Sequence, residues 1–251
     1  MLTFQRIYYK LAELNNVFMN WKINSELYKQ CKSKGLTFNH VCEVGVYLPE
    51  TSNILDFILE GLKTTLVEPD PKNVKAIRDF FKNNENISLF PYAVFDYNGV
   101  IELSQRESST FVSSLPSSPA LVNDSYQKSE SDNFEVECKT FDTIDDGTID
   151  LLSVDTEGCE WYVIKYIKSR PNIISVETHG KSYINPFLKE ITEWFQANHY
   201  VIWYKDKSDS VYVKENLFTI TPEERRKLIM KVFSLKLSRL KYKLKKLLNI
   251  K

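Results

Sequence analysis

Three carboxylates fall within six residues, in the run Asp155, Thr156, Glu157, Gly158, Cys159, Glu160, directly after the apolar, β-prone stretch 149–154. Carboxylates can accept a proton, hold a sugar hydroxyl or ligate a hard cation, so this run can do chemistry. A strand that ends in an acidic turn and opens a helix delivers such groups to the carboxyl edge of a sheet, where open α/β folds bind ligands. Two other strand ends carry related groups: Glu43, Val44 and Gly45 in the first, and Glu68, Pro69 and Asp70 after the second. A carboxylate after the second strand can take both hydroxyls of a ribose, so Glu68 suits a nucleoside ligand. The first loop keeps only Gly45, with Tyr47 and Pro49 where further glycines would stand, which hampers backbone approach to a pyrophosphate. A nucleoside without a diphosphate fits better than NAD, and an NAD-linked oxidoreductase lacks its glycine fingerprint.

The elements that must position these groups follow from periodicity. Apolar residues at helical spacing over 2–34, ending near Gly35, predict two leading helices. A strand over 40–46 then leads into a helix through Ile54 and Leu59 that Thr51 or Ser52 could cap. The rhythm repeats with a strand at 64–68, a helix from Pro71 to about 84, and a strand at 87–92. Short strands at 100–103 and 134–138 bracket a Ser-rich, aperiodic stretch, 104–132, which is a binding lid or a passive loop. The fourth core strand is 151–155 with its helix over 157–169, and the fifth is 172–177. A helix at 186–198 and strands at 200–204 and 210–213 close the pattern. Alternating β and α segments predict an α/β fold with a doubly wound, mainly parallel sheet.

The formal net charge is zero, but residues 222–251 hold eleven lysines and arginines against two acids, a net +9 that leaves −9 on the rest. An acidic body argues against general nucleic-acid binding, which draws its affinity from Lys and Arg on phosphates. The tail spaces Ile229, Val232, Phe233, Leu237, Leu240, Leu244 and Leu247 helically between basic residues. Such a basic amphipathic helix can lie on an anionic membrane or in a partner's groove, or pack on its own domain. Cys31, Cys42, Cys138 and Cys159 have neither CxxC nor zinc-finger spacing, so small buried groups are expected rather than a zinc site or nucleophiles. No signal-peptide pattern and no run of about 20 apolar residues occurs, which predicts a cytoplasmic protein, peripheral at most at the inner membrane face.

The segments Cys42 to Gly45, Leu66 to Pro71, Tyr92 to Val94 shortly before Gly99, Thr140 to Ile144, and Ser153 to Glu160 together resemble the FkbM family of S-adenosylmethionine-dependent methyltransferases, from about residue 41 to 204. The resemblance implies a class I methyltransferase (Rossmann-like) fold with a seven-stranded sheet. The expected division is an N-terminal helical extension (1–38), the methyltransferase domain (39–221) and the basic C-terminal helix (222–251). It also implies transfer of a methyl group from S-adenosyl-L-methionine to a hydroxyl of a sugar, glycan or glycosylated small molecule. The implied cofactor-binding set is Glu43, Gly45, Val46, Tyr47 and Thr51, then Glu68, Pro69 and Asp70, then Ala93 and Val94, and Asp155. Of these, Glu43, Gly45 and Val46 face the methionine side, Glu68 the ribose, and Asp70 with Ala93 and Val94 the adenine. Glu43, Tyr47 and Pro49 replace the family's usual Asp, Asn and second Gly, which supports a competing reading as a non-catalytic scaffold that docks through the basic helix.

A hydroxyl acceptor needs a base. The candidates are Asp155, Glu157, Glu177 and His179, with His179, which titrates near neutrality, and Asp155 favoured. His179 can equally be a satisfied strand-end histidine. Glu157 and Glu160 can simply favour the positive end of a helix dipole. Asp155, Glu157 and Glu160 would alternate faces across the turn, so no metal is assigned. Trp161, Tyr183 and Trp194 are available to face a sugar ring.

Overall fold

The computed structural model describes residues 24–106, 109–113, 118, 122, 133–180 and 182–247. The expected helices before residue 24 and most of the stretch 114–132 lie outside these. Along the chain run α1 (Glu26–Ser33), β1 (His40–Val44), α2 (Leu55–Leu59), β2 (Lys63–Val67), α3 (Pro71–Phe80), β3 (Ile87–Phe90), β4 (Ala93–Val94), β5 (Gly99–Arg106), β6 (Ser109–Val112) and β7 (Asn133–Lys139). They are followed by β8 (Leu151–Val154), α4 (Glu160–Ile164), β9 (Ile173–Glu177), α5 (Leu188–Ala197), β10 (Tyr200–Lys205), β11 (Asp209–Lys214) and α6 (Pro222–Leu247).

Seven strands form one sheet in the order β10-β11-β9-β8-β1-β2-β3, parallel except for β11. Strands β1, β8 and β9 are buried at every position, as parallel strands covered on both faces must be. Alternate side chains feed two cores. Cys42, Val44, Leu152 and Val154 pack with Ile164, Ile191 and Phe195 from α4 and α5, while Val41, Leu66 and Leu151 pack with Leu27, Phe57 and Ile77 from α1, α2 and α3.

The strand order reverses at β1, which lies between β2 and β8, and that switch point is where open α/β sheets bind ligands. Register sharpens the location. Val44 stands opposite both Val67 and Val154, and Val154 opposite Val176. The next residues, Gly45, Glu68, Asp155 and Glu177, therefore emerge side by side along one edge.

Several sequence expectations shift. The helix after β1 starts at Leu55, and Ile54 precedes it without a side-chain cap, because Pro49–Thr51 first forms a 3-10 turn. Ser52 instead donates its hydroxyl proton to Glu43. Strand β3 stops at Phe90, before Pro91, which has no N–H to offer a ladder. The helix expected over 157–169 is confined to Glu160–Ile164 because Glu157 (φ 54°) and Gly158 (φ 109°) take left-handed backbone first. The start of the Ser-rich stretch is ordered: β5 and β6 pair antiparallel with Leu103 opposite Val112 and Gln105 opposite Thr110, in a second sheet of order β4-β7-β5-β6.

Helix α6 is tied to the domain at its start by a capping box. Thr221 N–H donates to Glu224 Oε2 (2.7 Å), and Glu224 N–H donates to Thr221 Oγ1 (3.2 Å). Glu224 also accepts from the indole N–H of fully buried Trp203 (3.0 Å) and pairs with Lys34 (2.8 Å). Glu224→Ala strands that indole donor, so it is expected to cost about 1–3 kcal/mol, read from the urea unfolding midpoint.

Candidate active site

Gly45 is fixed by sterics. It has φ 86°, its N–H donates to Val67 O (2.9 Å), and a Cβ there would stand 1.7 Å from the carbonyl oxygen of Asp155. Asp155 N–H in turn donates to Val44 O (2.9 Å), so the first loop and the acidic turn are in backbone contact. Tyr47 also has a positive φ, 59°, a region that asparagine enters more easily than tyrosine.

Carboxylates organise the surrounding loops. Glu43 accepts from Asn53 N–H (2.8 Å) and the Ser52 hydroxyl, which pins the 3-10 turn to the end of β1. Glu68 accepts from Tyr47 N–H (2.8 Å), Asp70 N–H (3.0 Å) and the Asn73 amide (3.3 Å). It is only 3% exposed, and burial pushes its pKa up to about 7 despite those donors. Glu160 reaches back over the turn: its Oε1 accepts from Thr156 N–H (3.0 Å), Gly158 N–H (3.0 Å) and Thr156 Oγ1 (3.3 Å), while its Oε2 accepts from Asn185. Closing the turn, rather than only facing a helix dipole, is what Glu160 does.

These strand ends surround a cavity of about 280 Å³. Its wall includes Glu43, Gly45, Val46, Tyr47 and Thr51 from the first loop, Glu68 and Pro69 after β2, Ala93 and Val94 of β4, and Asp155 and Glu157 of the acidic turn. Asp70 is not in the wall. Its Oδ1 accepts from Lys72 N–H (2.8 Å) as the N-cap of α3, and its Oδ2 accepts from Gln105 of β5. Sequence reasoning missed Asn53, Asn73 and Tyr92, and with them Leu103, Thr110, Phe111 and Val112, which β5 and β6 fold over the cavity. Asn73 was accessible from its place one turn after the Asp70 cap; the hairpin residues had no signal beyond short alternation within serines.

The base candidates separate. Asp155 and Glu157 face the cavity, whereas Glu177 and His179 do not line it. Glu177 sits beside Asp155 and Glu160, with one carboxylate oxygen of each of the three within 4.8 Å of the others. Burial and the neighbouring Asp155, Glu160, Glu157 and Asp209 push its pKa well up. His179 is 1% exposed, its Nδ1 lies 3.1 Å from Thr178 Oγ1, and burial and Lys205 push its pKa down to about 3. It is neutral at pH 7 and a weak base. Trp161, Tyr183 and Trp194 also stay out of the cavity wall, and all four cysteines are free and buried.

The FkbM methyltransferase domain profile matches residues 43–202, a span that opens with Glu43 of β1 and closes in β10. The chain belongs to the FkbM methyltransferase family. No curated protein matches the sequence. Solved structures similar to this FkbM-family protein include a precorrin-6y C5,15-methyltransferase from Geobacter metallireducens GS-15, with 13% identity, 74% of this chain and 83% of that chain covered, and a TM-score of 0.35. The methyltransferase domain of bacterial CtHen1-CN is similar at 14% identity over 74% of this chain and 94% of that one, with a TM-score of 0.41. Within the FkbM-family domain, Tyr47 supplies an N–H to Glu68, and Pro49 opens the 3-10 turn at its first position, where a missing N–H costs nothing.

Glu68 supplies a pH test. Its folded pKa of about 7 lies above its ordinary value near 4.5, so the native state holds the proton more tightly than the unfolded chain. Its contribution to stability is therefore greatest below pH 4.5 and declines as pH rises towards about 7. Glu68→Gln is expected to flatten that decline in urea unfolding measured across this range.

Proposed function

We propose that this protein is an S-adenosyl-L-methionine-dependent O-methyltransferase whose acceptor is a hydroxyl of a sugar, glycan or glycosylated small molecule. The observation that carries the reading is the meeting of Gly45, Glu68 and Asp155 around one cavity at the switch point, in a chain of the FkbM methyltransferase family. The donor set fits the cofactor. Glu68 offers carboxylate oxygens at the cavity wall for ribose hydroxyls, and the loop Gly45 to Tyr47 lies alongside it. Bound S-adenosyl-L-methionine supplies an electrophilic methyl carbon, so that a C–S bond breaks as a C–O bond forms.

The chain's own part is alignment and proton removal. Asp155, on the cavity wall and fixed through its backbone to Val44, takes the hydroxyl proton in this reading. Glu157 stands next to it, while His179 is set aside by its position and weak basicity. The hairpin residues Leu103, Phe111 and Val112 give the cavity an apolar side that excludes water.

Calorimetry with S-adenosylhomocysteine tests the cofactor half: binding by the wild type and a loss of about ten- to hundredfold in Glu68→Ala are expected, the worth of charge-assisted hydrogen bonds. No binding at millimolar ligand would sink it. Methyl transfer to a glycoside, lost in Asp155→Asn with cofactor binding retained, tests the acceptor half.

Helix α6 supports a second, peripheral contact, with an anionic membrane surface. Ile229, Phe233, Leu237, Leu240 and Leu244 are exposed along one stripe, among the basic residues of the tail. Among the described residues no helix is long and apolar enough to cross a membrane. Flotation with phosphatidylserine vesicles should recover the wild type and not Phe233→Glu/Leu240→Glu; equal recovery of both removes the contact. Membrane recovery without cofactor binding would instead favour a non-catalytic scaffold.

A further inference from the structure

The end of β8, the start of α4 and the end of β9 bring together three acids that are far apart in sequence. One carboxylate oxygen from each of Asp155, Glu160 and Glu177 lies within 4.8 Å of the other two. Oxygens around an ion at about 2.1 Å are about 3.0 Å apart when adjacent and 4.2 Å when opposite, and at about 2.4 Å the widest separation reaches 4.8 Å. Three oxygens 4.8 Å from one another lie about 2.8 Å from their common centre, so side-chain movements of up to about 1 Å bring them onto one ion.

A second observation points to a ligand. Glu177 is nine-tenths buried, and its Oε2 has no hydrogen-bond partner among the described residues. Fully buried Tyr183, whose hydroxyl feels the charges of Glu160 and Glu177, likewise has no partner for that hydroxyl among the described residues. Buried polar atoms are ordinarily paired, so an orphaned carboxylate oxygen within the acidic cluster calls for something that satisfies it. A cation does so, because it takes the carboxylate oxygen directly as a ligand.

We propose that Asp155, Glu160 and Glu177 form a binding site for a hard divalent cation, Mg2+ or Mn2+, beside the cavity. Oxygen-only ligands select such ions over zinc or copper. Glu160 is held in place as metal-ligating carboxylates are: the N–H groups of Thr156 and Gly158 hold its Oε1, and the Asn185 amide donates to its Oε2. The other charges acting on Glu177 come from Asp155, Glu160, Glu157 and Asp209, all acidic, so a cation relieves a cluster that otherwise repels itself. Asp155 belongs to both the cluster and the cavity wall, so an ion held there would lie at the margin of the cavity. An acceptor hydroxyl held there would be acidified by the ion. That role rests on the methyl-transfer reading; ion binding does not.

The test is Mn2+ titration of the full chain, followed by electron paramagnetic resonance of free Mn2+ and by calorimetry with Mg2+, without cofactor or acceptor. One ion per chain is expected, with affinity reduced at least about tenfold in Asp155→Asn and Glu177→Gln. Glu85→Gln, at an exposed position away from the cluster, should bind as the wild type does, and Glu177→Asp, which keeps the charge, should bind more tightly than Glu177→Gln. Circular dichroism checks that each variant is folded. No binding by folded wild type at millimolar ion overturns the proposal, as does binding that survives Asp155→Asn and Glu177→Gln, or binding lost equally in Glu85→Gln. Failure here leaves S-adenosylhomocysteine binding unaffected, and failure of that binding with the ion held leaves this site standing.

Discussion

The contact between Gly45 and the backbone of Asp155 is the constraint on which the rest of the site depends. The two segments leave adjacent parallel strands at the point where strand order reverses, and they approach until no Cβ fits between them. That proximity joins the first loop to the acidic turn. Two further links, Gly45 N–H to Val67 O and Asp155 N–H to Val44 O, extend the parallel ladder beyond the strands proper and stiffen the edge from which the carboxylates project.

Around this contact, acids serve as structure as much as chemistry. Glu43, Glu68 and Glu160 accept backbone N–H groups that irregular loops would otherwise leave unsatisfied, and each is nearly or fully buried. Glu68 nonetheless lines the cavity, and one oxygen of Glu177 has no partner among the described residues. Burial makes the negative charge of these groups costly, so ligands that donate hydrogen bonds or positive charge gain from meeting them. The small sheet β4-β7-β5-β6 completes the enclosure; its core takes Cys159 from the acidic turn, which couples the hairpin over the cavity to the segment that carries Asp155.

Much of this was legible from local pattern. The strands and helices follow period-two and helical spacing, and the family resemblance through Cys42 to Gly45, Glu68 to Asp70 and Ser153 to Glu160 accords with the profile match over residues 43–202. Helix starts were read less well: Thr51 and Ser52 have the chemistry of caps, but Pro49 and the Glu43 carboxylate drew them into a 3-10 turn. The Ser-rich stretch hid a hairpin because Ser104 and Gln105 give no amphipathic signal in a strand whose partners, Phe111 and Thr110, come from across the turn.

What the sequence by itself determined is the class of chemistry: carboxylates at the ends of β-prone runs, a single glycine where a turn demands it, and a basic helical tail. Only tertiary structure decided which carboxylates meet. Asp70 has the composition of a ligand-binding residue, yet it is spent on capping α3 and on Gln105. Glu177 looked like one of several acids, yet register sets it level with Asp155 and beside Glu160. The physical reason is that residue type specifies what a group can donate or accept, while the alignment of separate strands, Val44 with Val67 and Val154, and Val154 with Val176, decides which groups share an edge.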